Sequence, residues 1–229
     1  MIETRKQLAA YIDQTLLKPT AGYQHASAWL ETCAMVGFAA LCVSPFLVPV
    51  AAQRLAGTST RVCSVCGFPL GFANTESKVE EAAHLVQLGC HEVDMVMNFA
   101  AFLEGDDVFV TDDIAAVVRK VAGCSEGTGI VKVILETGYL EPAQIERACH
   151  LAAGAGADFV KTSTGFGPRG ASVEDVRVMR AAVGDALGVK AAGGIRDLGT
   201  ALAMIEAGAS RVGTSSGIEI LDAFSVRRD

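Results

Sequence analysis

Basic charge is scarce in this sequence. Its 229 residues carry 19 Lys and Arg against 26 Asp and Glu, a net charge of −7. That balance weighs against nucleic acid or an anionic membrane as a partner, because both reward clustered basic surface. A membrane-spanning run is lacking as well. The most apolar stretch, Phe38 to Ala52, is broken by Ser44, Pro45 and Pro49 and reads as a strand followed by a turn. Met1 to Ala10 is polar and of mixed charge, without the apolar stretch of a secretory leader. Charged residues reach 20% and prolines number six, against 51% apolar residues, so a disordered chain is excluded. Cysteines number seven, scattered through apolar segments instead of framing loops. This pattern predicts reduced thiols in a cytoplasmic protein.

What the chain has in abundance is a repeating unit. Short apolar runs, many entered from a Gly and left into a polar loop, recur along it: Tyr11 to Leu16, Phe38 to Val43, Arg61 to Cys66, Glu92 to Met97, Ile130 to Leu135, Asp158 to Lys161, Val189 to Ala192 and Arg211 to Gly213. Near-continuous apolar runs of this kind suit parallel strands buried on both faces. Between them lie stretches of helical period, namely Glu80 to Leu88, Ile145 to Ala153, Val176 to Val183 and Leu198 to Ala207. Gly89 and Gly208 stop two of these. About eight alternations of strand and helix predict an α/β protein: one (β/α)8 TIM barrel filling 1–229, with no linker or second domain.

Lysine is rare here, seven in all, yet three lysines fall inside predicted strands: Lys132, Lys161 and Lys190. Each is 29 residues from the next, one strand–helix unit, which predicts matching places on three successive strands. Burying an ammonium without a partner costs several kcal/mol, so stability alone does not explain three of them. A free lysine has a pKa of ~10.4, and a neighbouring cation and low dielectric both favour the neutral amine. A neutral amine attacks a carbonyl to form a Schiff base. The alternative, a salt-bridge network with carboxylates such as Asp94 and Glu136, stays open at this level. Asp94 lies among apolar residues in its own predicted strand and would move protons. Asp13 and Thr15 share a strand face and would line the same cavity.

Two glycine-rich loops follow the seventh and eighth runs. Lys190 leads into Gly193 and Gly194, and the last run ends in Gly213-Thr214-Ser215-Ser216. In (β/α)8 barrels such loops commonly hold phosphate, although the glycines could instead serve tight turns. Gly165-Phe166-Gly167-Pro168-Arg169-Gly170 matches a dinucleotide fingerprint literally, but the acid which that reading requires after the next strand is absent. Cys63 and Cys66 form a lone C-x-x-C whose side chains should face opposite ways, which gives no metal site. His25, His84, His91 and His150 read as solvated or packed side chains.

At these residues the chain resembles the deoxyribose-phosphate aldolase family. The matching segments are Ile12-Asp-Gln-Thr-Leu-Leu-Lys-Pro19, Glu92-Val-Asp-Met-Val-Met-Asn98, Val131-Lys-Val-Ile-Leu-Glu-Thr137, Phe159-Val-Lys-Thr-Ser-Thr-Gly-Phe166, Val189-Lys-Ala-Ala-Gly-Gly-Ile195 and Gly213-Thr-Ser-Ser-Gly217. They span nearly the whole chain in the family's order. The resemblance implies a class I aldolase, with neither metal nor cofactor, that reversibly cleaves 2-deoxy-D-ribose 5-phosphate to D-glyceraldehyde 3-phosphate and acetaldehyde in deoxynucleoside catabolism. It implies that Lys161 is the Schiff-base lysine and that Asp94 and Lys190 form a proton relay, Lys190 also perturbing the Lys161 amine. The phosphate falls to Gly165, Gly193, Gly194 and Gly213 to Ser216. Cys42, Lys132 and Thr164 join Asp13 and Thr15 as candidate substrate-binding residues. Small-molecule partners are implied, and homo-oligomerisation is left open. Two departures stand out. Gln14 replaces a common His before Thr15, and Phe99 to Glu104 replaces a Gly-Ala-Leu-Lys segment. The remaining readings are another Schiff-base barrel enzyme, such as a transaldolase, and a non-catalytic phosphosugar-binding barrel.

Overall fold

The computed structural model describes residues 2–226. All eight apolar runs are strands: β1 (Ile12–Leu16), β2 (Ala40–Val43), β3 (Arg61–Cys66), β4 (Glu92–Val96), β5 (Ile130–Ile134), β6 (Phe159–Lys161), β7 (Gly188–Ala192) and β8 (Arg211–Thr214). They pair in parallel in chain order, and β8 returns to β1 to close an eight-stranded barrel. β2, β4 and all but the first residue of β3 are buried, as runs covered on both faces require.

The helices are α1 (Arg5–Ala9), α2 (Tyr23–Cys33), α3 (Val48–Leu55), α4 (Thr75–Gln87), α5 (Phe99–Glu104), α6 (Asp107–Cys124), α7 (Pro142–Gly154), α8 (Val173–Val183), α9 (Leu198–Glu206) and α10 (Gly217–Val226). Apolar period alone misses the first turns of α4, α7 and α8, while α9 begins at Leu198 as expected. α4 begins five residues before the expected Glu80 because the Asn74 side chain accepts the Ser77 N–H at 2.9 Å. α7 begins at Pro142, where Glu141 and Gln144 cap each other. The Phe38 to Ala52 stretch divides into β2, a 3-10 turn at Pro45–Leu47 and α3, as its prolines dictate. No helix among the described residues is long and apolar enough to cross a membrane.

Candidate active site

In a strand, alternate residues face the barrel interior. The inward residues of six strands meet here as a cluster of charge. Asp13, Glu92, Asp94, Lys132, Lys161 and Lys190 are all buried, Lys161 least so at 3% exposure. Lys161 and Lys190 are direct partners across β6 and β7. Lys132 pairs with Phe159, two positions short of Lys161, so equal sequence spacing does not place the three lysines at one level. They converge nonetheless, because Asp94 stands among them. Its Oδ2 accepts from Lys161 Nζ at 2.7 Å and from Lys190 Nζ at 2.7 Å, and its Oδ1 accepts from Lys132 Nζ at 2.7 Å.

The lysines have further anionic contacts. Lys190 Nζ lies 2.6 Å from Asp13 Oδ2, and Lys132 Nζ lies 2.7 Å from Glu92 Oε2. Arg211 closes the network from β8, with Nη1 2.5 Å from Asp13 Oδ1 and Nη2 3.2 Å from Glu92 Oε1. Burial works against the charges of Asp13, Asp94, Lys132, Lys190 and Arg211, but the opposite charges outweigh it. The three lysines hold the Asp94 carboxyl well below the usual carboxylate range. Lys190, Lys132 and Arg211 bring Asp13 down to about 2 against the same burial. Asp13 and Asp94 in turn hold Lys190 above the ordinary lysine range, also against burial. Lys190 is therefore a standing cation beside Lys161.

Glu136 takes no part in this network, contrary to the salt-bridge expectation. It sits in the left-handed region at φ 53°, and its carboxylate accepts the Thr164 N–H at 3.2 Å and the Thr164 hydroxyl. It thus fastens the loop after β6. Cys63 Sγ lies 3.3 Å from Asp94 Oδ1, while Cys66 Sγ turns away to Lys78 O at 3.2 Å, the opposite facing expected of that pair. Cys42 is the direct partner of Cys63 and forms a small interior layer with it, Ala40 and Val65. Cys42, Cys63 and Asp94 bring potential metal-ligand atoms within 4.8 Å of one another. Both Asp94 oxygens are already engaged by ammonium groups, a donor set poorly suited to a cation.

Above the cluster, at the C-terminal end of the strands, opens a cavity of about 620 Å³. Of the three lysines only Lys161 lines it. Thr15, Thr164, Gly165, Gly193, Gly194 and the segment Gly213 to Ser216 also form its wall. Asp13, Cys42, Asp94, Lys132 and Lys190 lie beneath it. Several wall hydroxyls serve the loops themselves: Thr15 donates to Asp13 O at 2.9 Å, and Thr214 donates to Ile195 O at 2.7 Å, tying the last two loops together. Gly193 and Gly194 have φ of 88° and 79°, where a side chain is strained. Gly213 is required for a different reason. A Cβ there would stand 3.1 Å from Lys190 Cε and 3.0 Å from Ala192 Cβ.

The departure at Gln14 has a structural role. Its amide donates to Ser215 O at 3.2 Å and accepts the Gly217 N–H at 2.9 Å, anchoring the loop after β8 from outside the barrel. The departure after Asn98 forms α5, whose Phe99 stacks on Tyr139 at 5.3 Å. Lys18, His25, Trp29, Arg196 and Glu219 also line the cavity and were missed by the sequence reading. Arg196, directly after the Gly-Gly-Ile turn, carried a legible signal. His25 and Trp29, one helical turn apart on α2, did not.

Residues 8–223 match the DeoC/LacD family aldolase profile. The chain is 50% identical over 220 residues to a deoxyribose-phosphate aldolase of Thermococcus kodakarensis, covering 95% of this chain and 97% of that one. It is 47% identical over 220 residues to a deoxyribose-phosphate aldolase of Caldanaerobacter subterraneus subsp. tengcongensis, covering 96% and 94%. Among solved structures, the deoxyribose phosphate aldolase from Aeropyrum pernix, described as a unique tetramer, superposes with a TM-score of 0.87 at 31% identity, covering 97% and 92%.

Proposed function

Since the chain belongs to the DeoC/LacD aldolase family, we propose that this carbon–carbon lyase cleaves 2-deoxy-D-ribose 5-phosphate reversibly into D-glyceraldehyde 3-phosphate and acetaldehyde, using Lys161 as its imine-forming amine. One observation carries the assignment: of the three lysines gathered on Asp94, only Lys161 reaches the cavity. The relatives' names and the loops after β7 and β8 support the substrate.

The neutral Lys161 amine adds to the C1 aldehyde of the open-chain sugar, and loss of water gives the iminium. The C3 hydroxyl then gives up its proton, the C2–C3 bond breaks and its electron pair flows into the iminium. Glyceraldehyde 3-phosphate leaves, and an enamine remains on Lys161. Protonation at C2 and hydrolysis of the iminium release acetaldehyde and restore the amine. Asp94, in contact with Lys161 and Lys190 at once, is suited to pass protons between the amine and the reacting oxygens. The phosphate sits against Gly165, Gly193, Gly194 and the segment Gly213 to Ser216, a glycine-rich wall of the cavity in which the Ser216 N–H is itself held by the Thr214 hydroxyl. Arg196 and Lys18 add positive charge to the same cavity.

Reductive trapping tests the reading. With acetaldehyde and borohydride, an ethyl group is expected on the peptide carrying Lys161, and label on Lys132 or Lys190 instead would overturn it. Two lesser proposals accompany it. A cytoplasmic setting is supported by seven free cysteines. Self-association is supported by the tetrameric Aeropyrum pernix relative, and sedimentation velocity would measure it.

A further inference from the structure

Arg211 does not line the cavity, yet it holds two of the three carboxylates on which the buried lysines depend. Every strand contributes a titratable group to this interior. β1 supplies Asp13, β2 Cys42, β3 Cys63, β4 Glu92 and Asp94, and β5 to β8 supply Lys132, Lys161, Lys190 and Arg211. Arg61, its side chain 43% exposed, stands outside the group with Nε 3.8 Å from Glu92 Oε1. Leaving the thiols aside, the set holds four cations, Arg211 among them with its side chain 15% exposed, and three buried carboxylates.

A guanidinium does not release its proton. Arg211 therefore occupies Asp13 Oδ1 and Glu92 permanently, and three lysines divide what remains. The excess of one positive charge disappears when the set sheds one proton. That proton has a path to the cavity only through Lys161, the lysine that lines it.

We infer that Arg211 is an electrostatic positioning residue, whose fixed charge on Asp13 and Glu92 sets the pH at which Lys161 forms its imine. Removing Arg211 leaves three cations on three carboxylates, and the set then keeps its protons to higher pH. Removing the charge of Glu92 does the reverse. Cys42 and Cys63 are unchanged in every variant compared. The inference rests on Lys161 being the imine lysine.

The test follows imine formation against pH, by cyanoborohydride trapping of acetaldehyde with peptide mapping, in the wild type, Arg211→Met, Arg211→Lys and Glu92→Gln. The midpoint should rise by about one pH unit in Arg211→Met, the size of a unit charge acting over ~10 Å at an effective dielectric of ~20. It should fall by a similar amount in Glu92→Gln and stay near wild type in Arg211→Lys. In Arg211→Met, kcat at pH 7 should drop up to about tenfold and recover at alkaline pH, with KM for the phosphosugar changed less than about twofold. General damage to the barrel would not recover with pH and would not act in opposite directions in the two variants. Midpoints that stay put, or that move together, overturn the inference. If Arg211→Met does not fold, Glu92→Gln decides alone, since an unmoved midpoint there is also fatal. Absence of wild-type label on Lys161 would defeat the functional reading itself. Label on Lys161 with unmoved midpoints defeats only the role of Arg211.

Discussion

Lys161 and Lys190 face each other across β6 and β7, and both ammonium groups rest on one oxygen, Asp94 Oδ2, each at 2.7 Å. Two cations on one oxygen is an arrangement in which moving a proton at one lysine alters the field at the other. Lys190 is held charged against its burial, because Asp13 gives it a second anion at 2.6 Å beside Asp94.

Lys190→Leu should therefore lower kcat by ~10²-fold or more, the usual scale for a lost acid–base group, while leaving KM for the phosphosugar nearly unchanged. Loss of a neighbouring cation should also move the acid limb of the rate profile to higher pH. Steady-state kinetics across pH 5 to 10 would check both. A retained rate and profile would remove Lys190 from the relay.

Gly194 offers a clean probe of the proposed phosphate site. A Cβ built there meets no atom within 4 Å, so the cost to the fold is the positive φ alone, about 1–2 kcal/mol. Gly194→Ala should raise KM for deoxyribose 5-phosphate about tenfold, some ~1.4 kcal/mol, and leave KM for plain deoxyribose unaltered. Equal losses on both substrates would assign the glycine to the turn.

Gln14→Ala should act on the same site from outside the barrel. Without its bonds to Ser215 O and the Gly217 N–H, the loop after β8 loses its anchor. Weaker binding of the phosphorylated substrate is expected, with Lys161 trapped by acetaldehyde at the wild-type rate. Parallel measurement of KM and trapping rate separates the two effects.

Acid should dismantle the cluster before the rest of the barrel. Asp13 and Asp94 titrate lower in the folded chain than at the unfolded value of 3.8, Asp13 at about 2 and Asp94 well below the usual range. Their contribution is complete above pH ~4 and is lost as pH falls through the folded values, where the native carboxylates must be protonated. For Asp13 alone this amounts to about 2 kcal/mol. Urea midpoints between pH 5 and 2 should fall steeply, and Asp13→Asn should flatten part of that slope.

The fold was legible because each buried parallel strand leaves an apolar run, and eight of those runs became the eight strands. Lysines within such runs are costly enough to stand out, so Lys132, Lys161, Lys190 and Asp94 were found from sequence. Their individual duties were implied only by the family resemblance, since the levels of β5 and β6 are set by pairing register, and equal spacing concealed a two-residue offset. Arg211 and Glu92 sit at strand starts, where a charged residue attracts no notice. Lys18, His25 and Trp29 reach the cavity from the loop after β1 and from α2, through a geometry no local pattern encodes.

Asp13 and Arg211 stand 198 positions apart and meet only where β1 and β8 zip together. A partly wound chain thus carries its lysines and carboxylates apart, without the shared field that the finished ring creates. On the proposed mechanism, reactivity toward aldehydes should arise only once the ring is complete. During refolding, catalytic competence should emerge no earlier than the slowest long-range contact, well after helices have formed. The enzyme would therefore report on its own assembly, with closure of the β1–β8 seam also switching on the chemistry.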